Sequence, residues 1–245
     1  MNRAMIRHAL AATACVALAA CGGSGGGSGE ADALPKVSAP AGQAWSAQVR
    51  ATDGGFVMGN PDAPIKVVEF GSFTCSHCAE FSVASHEALK RDFVDTGRVS
   101  FELRPFVRDP LDLLVATVAV CGGPERFFPL AENAFAEQTT IIGGAQAAPD
   151  AAQNIAALPE GQRFPALARA WGLNQFFAAR GLPEAELNRC LADSAALERR
   201  QQVTQAAAER YEIAGTPTFL INDEVAEGVV TWEQLAERLR AAGAR

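Results

Sequence analysis

The motif Cys75-Ser76-His77-Cys78 lies where a predicted strand passes into a predicted helix, and this junction limits the possible folds more than any other feature. Ile65–Phe70 is a β-branched run typical of a strand. From Ser76 to about Thr96 apolar residues recur at helical spacing, and Gly97 ends the helix. Cys75 therefore belongs at a helix N-terminus, where free N–H groups and the helix dipole stabilise a thiolate. We predict that Cys75 is an exposed nucleophile and that Cys78 resolves the mixed disulfide.

His77 lies between the two cysteines and can give the thiolate a positive neighbour or a hydrogen bond, which lowers the pKa of the thiol. A C-x-x-C motif can also be half of a zinc site. However, the chain has no second such motif and only three histidines. His8 falls in the predicted signal peptide, and we place His86 on the solvent face of the helix. We expect no metal and no cofactor.

Further strands and helices are predicted along the chain after this junction. Val99–Leu103 alternates like a second strand. Four helices are predicted after it, over Leu111–Val120, Phe127–Glu137, Phe164–Ala179 and Glu184–Leu191. They precede a long helix over Ser194–Ile213, a buried strand at Thr218–Ile221, its hairpin partner at Val225–Val230 and a final helix over Trp232–Ala242. Two strands joined through a helix pair in parallel. The order therefore predicts an α/β protein with a thioredoxin fold and an inserted helical domain.

The first residues have the composition of an export signal. Arg3 and Arg7 precede an apolar run from Ala9 to Ala20, which is too short to span a bilayer. Leu18-Ala19-Ala20-Cys21 resembles the lipobox of bacterial lipoproteins, which implies that Cys21 is acylated; ordinary cleavage near Ala20 is the alternative. A Gly/Ser stretch follows, typical of a flexible tether. Because Gly22 is not the aspartate of inner-membrane retention, the resemblance favours the outer membrane.

These signals divide the chain into five predicted segments. They are a signal peptide over 1–20, a lipid-anchored flexible linker over 21–43, a first thioredoxin part over 44–108, a helical insertion over 109–193 and a second thioredoxin part over 194–245. Removal of the signal and lipidation leave four cysteines in an oxidising compartment. Since Cys75 and Cys78 form the redox pair, Cys121 and Cys190 are expected to form a structural disulfide. Two buried free thiols are the alternative.

The net charge of −7 argues against nucleic acid binding, which depends on neutralising phosphates. The segment from Val68 to Cys78 is similar to the active-site segment of DsbA-type disulfide oxidases. Gly59-Asn60-Pro61-Asp62-Ala63-Pro64 resembles the lead-in of DsbA-like proteins, and Ile213-Ala214-Gly215-Thr216-Pro217-Thr218-Phe219 resembles their cis-proline loop. The resemblance covers residues 44 to 242.

The resemblance implies that Pro217 is cis beside Cys75 and that Thr216 offers main-chain hydrogen bonds to a substrate peptide. It also implies that Glu69 is a buried acid serving Cys78. The family pairs this acid with a lysine, but the second strand here has only Arg98 and Arg104 beside it. Ser76 stands where the best-known oxidase has proline, and Thr216 is also found in isomerases.

The function implied is a periplasmic thiol–disulfide oxidoreductase, an oxidase that donates its disulfide to exported proteins and is recharged by a membrane partner of DsbB type. The chain lacks the dimerisation domain of the related isomerases, so we expect a monomer and favour the oxidase. A reductase or isomerase, or a non-catalytic chaperone that holds peptides beside Pro217, are the alternatives.

Overall fold

The computed structural model describes residues 32–245. The predicted signal peptide, the lipidation site Cys21 and the first part of the predicted linker lie outside these residues. Within the described part of the chain, no helix combines the length and the apolar character needed to cross a membrane.

A mixed sheet of six strands forms the centre of the described region, in the order β1-β2-β4-β3-β5-β6. The strands are β1 (Val49–Ala51), β2 (Phe56–Gly59), β3 (Ile65–Gly71), β4 (Val99–Pro105), β5 (Thr218–Ile221) and β6 (Glu224–Val225). β3 and β4 are parallel, with Ile65 opposite Val99 and Gly71 opposite Pro105. The other neighbouring strands are antiparallel. The parallel pair joined through a helix is the predicted β-α-β unit, and the α/β thioredoxin fold is confirmed.

Helices pack against this sheet, and most of them come between β4 and β5 in the sequence. They are α1 (Ser76–Leu89), α2 (Pro110–Cys121), α3 (Gly123–Ala136), α4 (Gln138–Ala147), α5 (Ala151–Asn154), α6 (Glu160–Ala170), α7 (Leu173–Ala178), α8 (Glu184–Ala192), α9 (Ser194–Tyr211) and α10 (Trp232–Ala241). α1 continues into a π-helical turn over Lys90–Val94. The helices α2 to α8 occupy residues 110–192, within the predicted helical insertion.

The alternation of β3 assigns its side chains to two different cores. Val67 packs in the large cluster that includes Phe81 of α1, whereas Val68 and Phe70 pack in a smaller cluster with Ala207 of α9. Glu69 is two residues from Val67 and therefore points to the side of the sheet covered by α1. This alternation brings the carboxyl group towards the helix that carries Cys78.

Three differences from the sequence-based expectations have local causes. The helix predicted over 164–179 is two helices, because the chain turns at Gly172 with a φ of 75° that suits glycine. The hairpin partner of β5 ends at Val225, and the chain then turns so that Val229 enters the core. β1 and β2 were not predicted, because they are short and flank the pair Gly54-Gly55.

The predicted linker over 21–43 is too long at its C-terminal end. The main-chain N–H of Leu34 donates to the carbonyl of Gly243 at 2.9 Å, and Val37 donates to Thr96 at 2.9 Å. Arg98 Nε donates to the carbonyl of Leu34 at 2.7 Å. These bonds attach residues 34–37 to the folded domain, because the segment supplies partners to backbone and side-chain groups that the domain leaves unpaired.

Candidate active site

Cys75 occupies the N-cap position of α1, as predicted, with an extended backbone at φ −94° and ψ 120°. Its carbonyl accepts the N–H of Ala79 at 3.1 Å, which begins the helix. The main-chain N–H groups of His77 and Cys78 are directed at the sulfur of Cys75. Cys75 is 6% exposed and Cys78 is 0% exposed. The nucleophile is therefore less accessible than predicted, although it is the outer sulfur of the pair.

The two sulfurs have opposite acid–base properties. The pKa of Cys75 is lowered to about 4, first by the hydrogen bond from Cys78 and then by smaller contributions from Thr216 and the helix N–H groups, against the opposing effect of burial. The pKa of Cys78 is raised, because its proton is held in the hydrogen bond to Cys75 and because burial and the charge of Glu69 disfavour a second anion. The geometry therefore favours a thiolate on Cys75 and a thiol on Cys78.

Glu69 lies on β3 behind the cysteines and is 2% exposed. Among the described residues, its Oε1 atom has no hydrogen-bond partner. Burial, and secondarily the negative charge of Cys75, raise the pKa of Glu69 to about 8. A Cβ atom added to Gly71 would lie 2.9 Å from this oxygen, so the glycine leaves the carboxyl group its space.

Neither arginine near β4 replaces the lysine that the resemblance implies. Arg104 Nε donates to Glu102 at 2.6 Å, and Arg98 Nε donates to the carbonyl of Leu34 at 2.7 Å. Glu69 is therefore a buried acid that neither arginine neutralises, which accounts for the direction of its pKa shift.

The ring of His77 does not contact the thiolate. Its Nδ1 atom lies 3.2 Å from Glu80 Oε2 on the solvent side of α1, and the side chain is 71% exposed. The contribution of His77 to Cys75 is its main-chain N–H, which any residue other than proline would supply. The predicted hydrogen bond from the ring is therefore absent in this structure.

The peptide bond between Thr216 and Pro217 is cis, and the loop lies beside Cys75 as the resemblance implied. In its thiol form Cys75 donates to the Thr216 carbonyl oxygen, which lies 3.1 Å from the sulfur, and the Thr216 side chain contributes to stabilising the thiolate form. The loop also lines a groove of about 610 Å³ with the end of α9 and with Val225 and Glu227. The site therefore combines a reactive sulfur with a neighbouring open channel.

The helical insertion fixes the active-site loop from the opposite side, which the sequence did not reveal. The carboxylate of Asp112 on α2 accepts hydrogen bonds from Ser72 Oγ at 2.6 Å and from the Phe73 N–H at 2.8 Å. Gln138 on α4 donates from Nε2 to the carbonyls of Phe73 and Cys75, both at 2.9 Å. Asp112 is fully buried, and burial raises its pKa to about 7 despite these donors.

Asp109 adds another hydrogen bond between the helical insertion and the active-site loop. Its Oδ2 atom accepts the hydroxyl of Thr74 at 2.6 Å, and its Oδ1 atom caps α2 by accepting the N–H of Asp112 at 2.9 Å. The pair Asp109-Pro110 is a recognisable helix-start signal in the sequence. Its contact with Thr74, 35 residues earlier in the chain, is determined only by the tertiary structure.

Cys121 and Cys190 lie outside the active site, in the helical insertion. The structure joins them in a disulfide between α2 and α8, with Cα atoms 6.3 Å apart and 69 residues of sequence separation. Cys75 and Cys78 are free thiols. In the described part of the chain, no group of three or more His, Cys, Asp or Glu side chains is arranged to hold a metal ion.

A C-x-x-C pair at a helix N-terminus, beside a cis-proline loop on a β-α-β unit, defines the class of thioredoxin-fold proteins with a thiol–disulfide exchange site. A family model described as thioredoxin matches residues 51–241, and the chain belongs to this family.

Similar proteins carry related names. The structure of a protein-disulfide isomerase from Novosphingobium aromaticivorans has 34% sequence identity and a TM-score of 0.71, and the match covers 78% of this chain and 98% of that chain. The structure of alpha-DsbA1 from Wolbachia pipientis, with 20% identity and a TM-score of 0.60 over 77% of this chain and 91% of that one, agrees in fold.

A putative protein-disulfide oxidoreductase of Rickettsia felis is 25% identical over 170 residues, which is 69% of this chain and 54% of the relative. The chain thus spans about half the length of the curated Rickettsia relative. Proteins named DsbA are among the structural neighbours, and they agree with this chain in fold.

Proposed function

We propose that this protein is a thiol–disulfide oxidoreductase and that it acts as an oxidase, donating its Cys75–Cys78 disulfide to exported proteins. The observation that carries the proposal is the position of Cys75, at a helix N-terminus beside the cis-proline loop. Interactions that stabilise the Cys75 thiolate stabilise the reduced protein relative to the disulfide. A stabilised dithiol form makes the disulfide a stronger oxidant.

The proposed reaction begins with a substrate thiolate that attacks the Cys75 sulfur of the oxidised protein. A substrate–Cys75 disulfide forms, the Cys75–Cys78 bond breaks, and Cys78 leaves as a thiolate. The protonated carboxyl group of Glu69 transfers its proton to Cys78 and becomes a carboxylate. A second substrate thiolate then attacks the substrate sulfur, so that a substrate disulfide forms and Cys75 leaves as a stabilised thiolate. A partner of DsbB type would accept the two electrons and restore the disulfide.

The groove beside Thr216 and Pro217 is the proposed substrate site. An extended peptide there can pair with the main chain of Thr216, while Pro217 lacks the N–H that a neighbouring strand would otherwise use. The groove is lined by charged side chains such as Glu209 and Glu227 as well as by Val230. It therefore suits an unfolded segment of mixed composition.

Two cysteine variants test the reaction. Cys75→Ser should abolish oxidation of a reduced, unfolded protein, because no attacking or accepting sulfur remains. Cys78→Ser should accumulate mixed disulfides with exported proteins, because the resolving thiol is lost. Non-reducing electrophoresis after acid quenching measures both. Retention of oxidase activity in Cys75→Ser would refute the proposal, as would a Cys75 that titrates like an ordinary thiol.

A reductase or isomerase is the second candidate. The name of the Novosphingobium relative, a protein-disulfide isomerase, favours it. Thiol trapping in cells separates the two roles, since an oxidase keeps Cys75 and Cys78 oxidised and an isomerase keeps them reduced. A peptide-holding chaperone is the third candidate, and it predicts that a variant with both cysteines changed to serine keeps its activity.

We further propose that the protein is a monomer in the periplasm, anchored to a membrane by a lipid on Cys21, with the outer membrane favoured over the inner one. The support is the segment Leu18-Ala19-Ala20-Cys21 and the Gly/Ser tether after it. Cys21→Ala should move the protein from the membrane fraction to a soluble or unprocessed form. Labelled palmitate should mark the wild-type protein alone; an unlabelled wild type with unchanged fractionation contradicts the anchor.

A further inference from the structure

The proposed exchange reaction requires protons to enter and leave a closed site. Each turnover protonates or deprotonates Cys78 and Glu69, yet these residues are 0% and 2% exposed. The Cys75 side of the pair is covered by the substrate at the moment of reaction. A second passage between Glu69 and water would therefore serve every cycle.

A cavity of about 30 Å³ lies between Glu69 and the far side of α1. Its polar lining consists of Glu69 at the inner end and Ser82, Ser85, His86, Lys90 and Glu132 towards the outside, with apolar side chains between. A space of this size accommodates a water molecule, which needs about 10–15 Å³ and two or more polar partners. The unpaired Oε1 of Glu69 provides an inner acceptor.

The outer end of the cavity is closed by an ionic cluster at the protein surface. His86 Nδ1 lies 3.1 Å from Glu132 Oε1, and Lys90 Nζ lies 2.7 Å from the same oxygen. The side chains of His86 and Glu132 are 33% and 21% exposed. Both also line a groove of about 350 Å³ on the outer surface, together with Ser82. These side chains thus form the wall between the inner cavity and the solvent.

We propose that this cavity is the proton passage of the active site and that His86 and Glu132 exchange protons with solvent at its outer end. When Cys78 takes the proton of Glu69, a water in the cavity donates a proton to the Glu69 carboxylate and receives one from the His86–Glu132 pair, which is recharged from solvent. Reoxidation runs the same transfers in reverse. A histidine suits this position because its two ring nitrogens can accept one proton and donate another. The inference rests on the proposed function.

The chain offers a matched control for the contact between His86 and Glu132. Glu87 Oε1 lies 3.2 Å from His86 Nε2, but Glu87 is 82% exposed and does not line the cavity. Glu132→Gln and Glu87→Gln each remove one carboxylate partner of His86, and only the first changes the wall of the cavity. Neither residue touches the cysteines.

The test measures the rate at which dithiothreitol reduces the oxidised protein between pH 5 and 8, by acid quenching and thiol trapping. Glu132→Gln and His86→Asn should slow reduction at least fivefold in dilute buffer, and imidazole should restore the rate. Glu87→Gln should match the wild type. Equal rates for Glu132→Gln and Glu87→Gln, or a loss that imidazole does not restore, would overturn the proposal.

Two variants of Ser85 test the cavity itself. Ser85→Ala keeps the space and should react like the wild type, whereas Ser85→Leu fills the space and should slow reduction to the level of Glu132→Gln. A normal rate for Ser85→Leu, in a protein with an unchanged Cys75 pKa, contradicts a passage through this cavity. A wild-type protein whose Cys75 does not exchange disulfides would instead contradict the proposed function.

Discussion

The two cysteine pairs lie in regions built on different principles. Cys75 and Cys78 are three residues apart, and helix N–H groups, the carboxyl group of Glu69 and the cis-proline loop surround them. Cys121 and Cys190 are 69 residues apart and join two helices of the insertion. The surroundings of Cys75 and Cys78 lower the pKa of the first thiol and raise the pKa of the second. The disulfide between Cys121 and Cys190 instead connects distant parts of the chain. The comparison shows that the surroundings of one cysteine pair suit thiol–disulfide exchange, whereas those of the other suit a structural cross-link.

Helix α2 connects these two regions. Near its N-terminus Asp112 holds the active-site loop, and at its C-terminus Cys121 forms the disulfide. The helical insertion therefore does more than cover the sheet, since it fixes the loop that presents Cys75. The following predictions ask how far the stability of the insertion and the chemistry of the active site can be separated.

The largest expected effect is on stability. Changing both Cys121 and Cys190 to alanine should lower the free energy of unfolding by about 4 kcal/mol, because the cross-link restricts a long loop in the unfolded chain. Urea denaturation measures this loss, and peptide mass spectrometry of the non-reduced mature protein should show the cross-link. The pKa of Cys75 should not change. Free thiols at both positions in the exported wild type would refute the structural disulfide.

Glu69→Gln should give the next largest effect, and one that depends on pH. Because folding raises the pKa of Glu69 from 4.5 to about 8, the folded state favours the protonated acid. Its stability is therefore highest below pH 4.5 and falls as the pH rises towards 8. The full shift corresponds to roughly 5 kcal/mol, and it is smaller in the oxidised protein, which lacks the negative charge of Cys75. At pH 8.5 we therefore expect the oxidised variant to be more stable than the oxidised wild type by about 3 kcal/mol, and at pH 4 the two should agree.

The oxidised protein suits the Glu69 measurement, since neither active-site cysteine then titrates. Urea denaturation at several pH values shows how the free energy of unfolding changes with pH. An equal difference between variant and wild type at pH 4 and pH 8.5 would show that Glu69 does not titrate in this range in the folded protein.

Asp112→Ala tests whether the insertion positions the active-site loop. The substitution leaves the N–H of Phe73 and the hydroxyl of Ser72 buried without their acceptor, which should cost about 2 kcal/mol of stability. It should also raise the pKa of Cys75, because the loop before α1 is no longer held. Asp112→Asn, which keeps one acceptor oxygen, should recover part of both losses. Loss of stability with an unchanged Cys75 pKa would limit Asp112 to a structural role.

His77→Ser should have the smallest effect. Because the ring faces Glu80 and solvent while the main-chain N–H remains, we expect the pKa of Cys75 to rise by less than about one unit, equivalent to ~1.4 kcal/mol. Thiolate absorbance at 240 nm as a function of pH measures the shift. Glu80→Gln is the control for the His77–Glu80 contact. A rise of several units would show that the imidazole acts on Cys75 in solution.

The elements that depend on local pattern could be predicted from the sequence. The strand at 65–70, the helix after Cys75, the strand at 218–221 and the final helix each follow from apolar periodicity and from residues that end helices. The N-cap position of Cys75 follows from the same junction, and the cis bond at Pro217 was implied by the resemblance of the 213–219 loop. Local signals suffice here because a helix start or a buried strand needs only neighbouring residues.

The tertiary structure sets which distant groups meet. No pattern showed that Asp112 and Gln138 hold the active-site loop, that the His77 ring turns away from Cys75, or that residues 34–37 attach to the domain. It also decided that a cavity links Glu69 to His86 and Glu132. Each of these depends on the packing of helices and strands that are far apart in the chain. The hydrogen bonds and burial at such contacts do not produce a periodic pattern in the sequence.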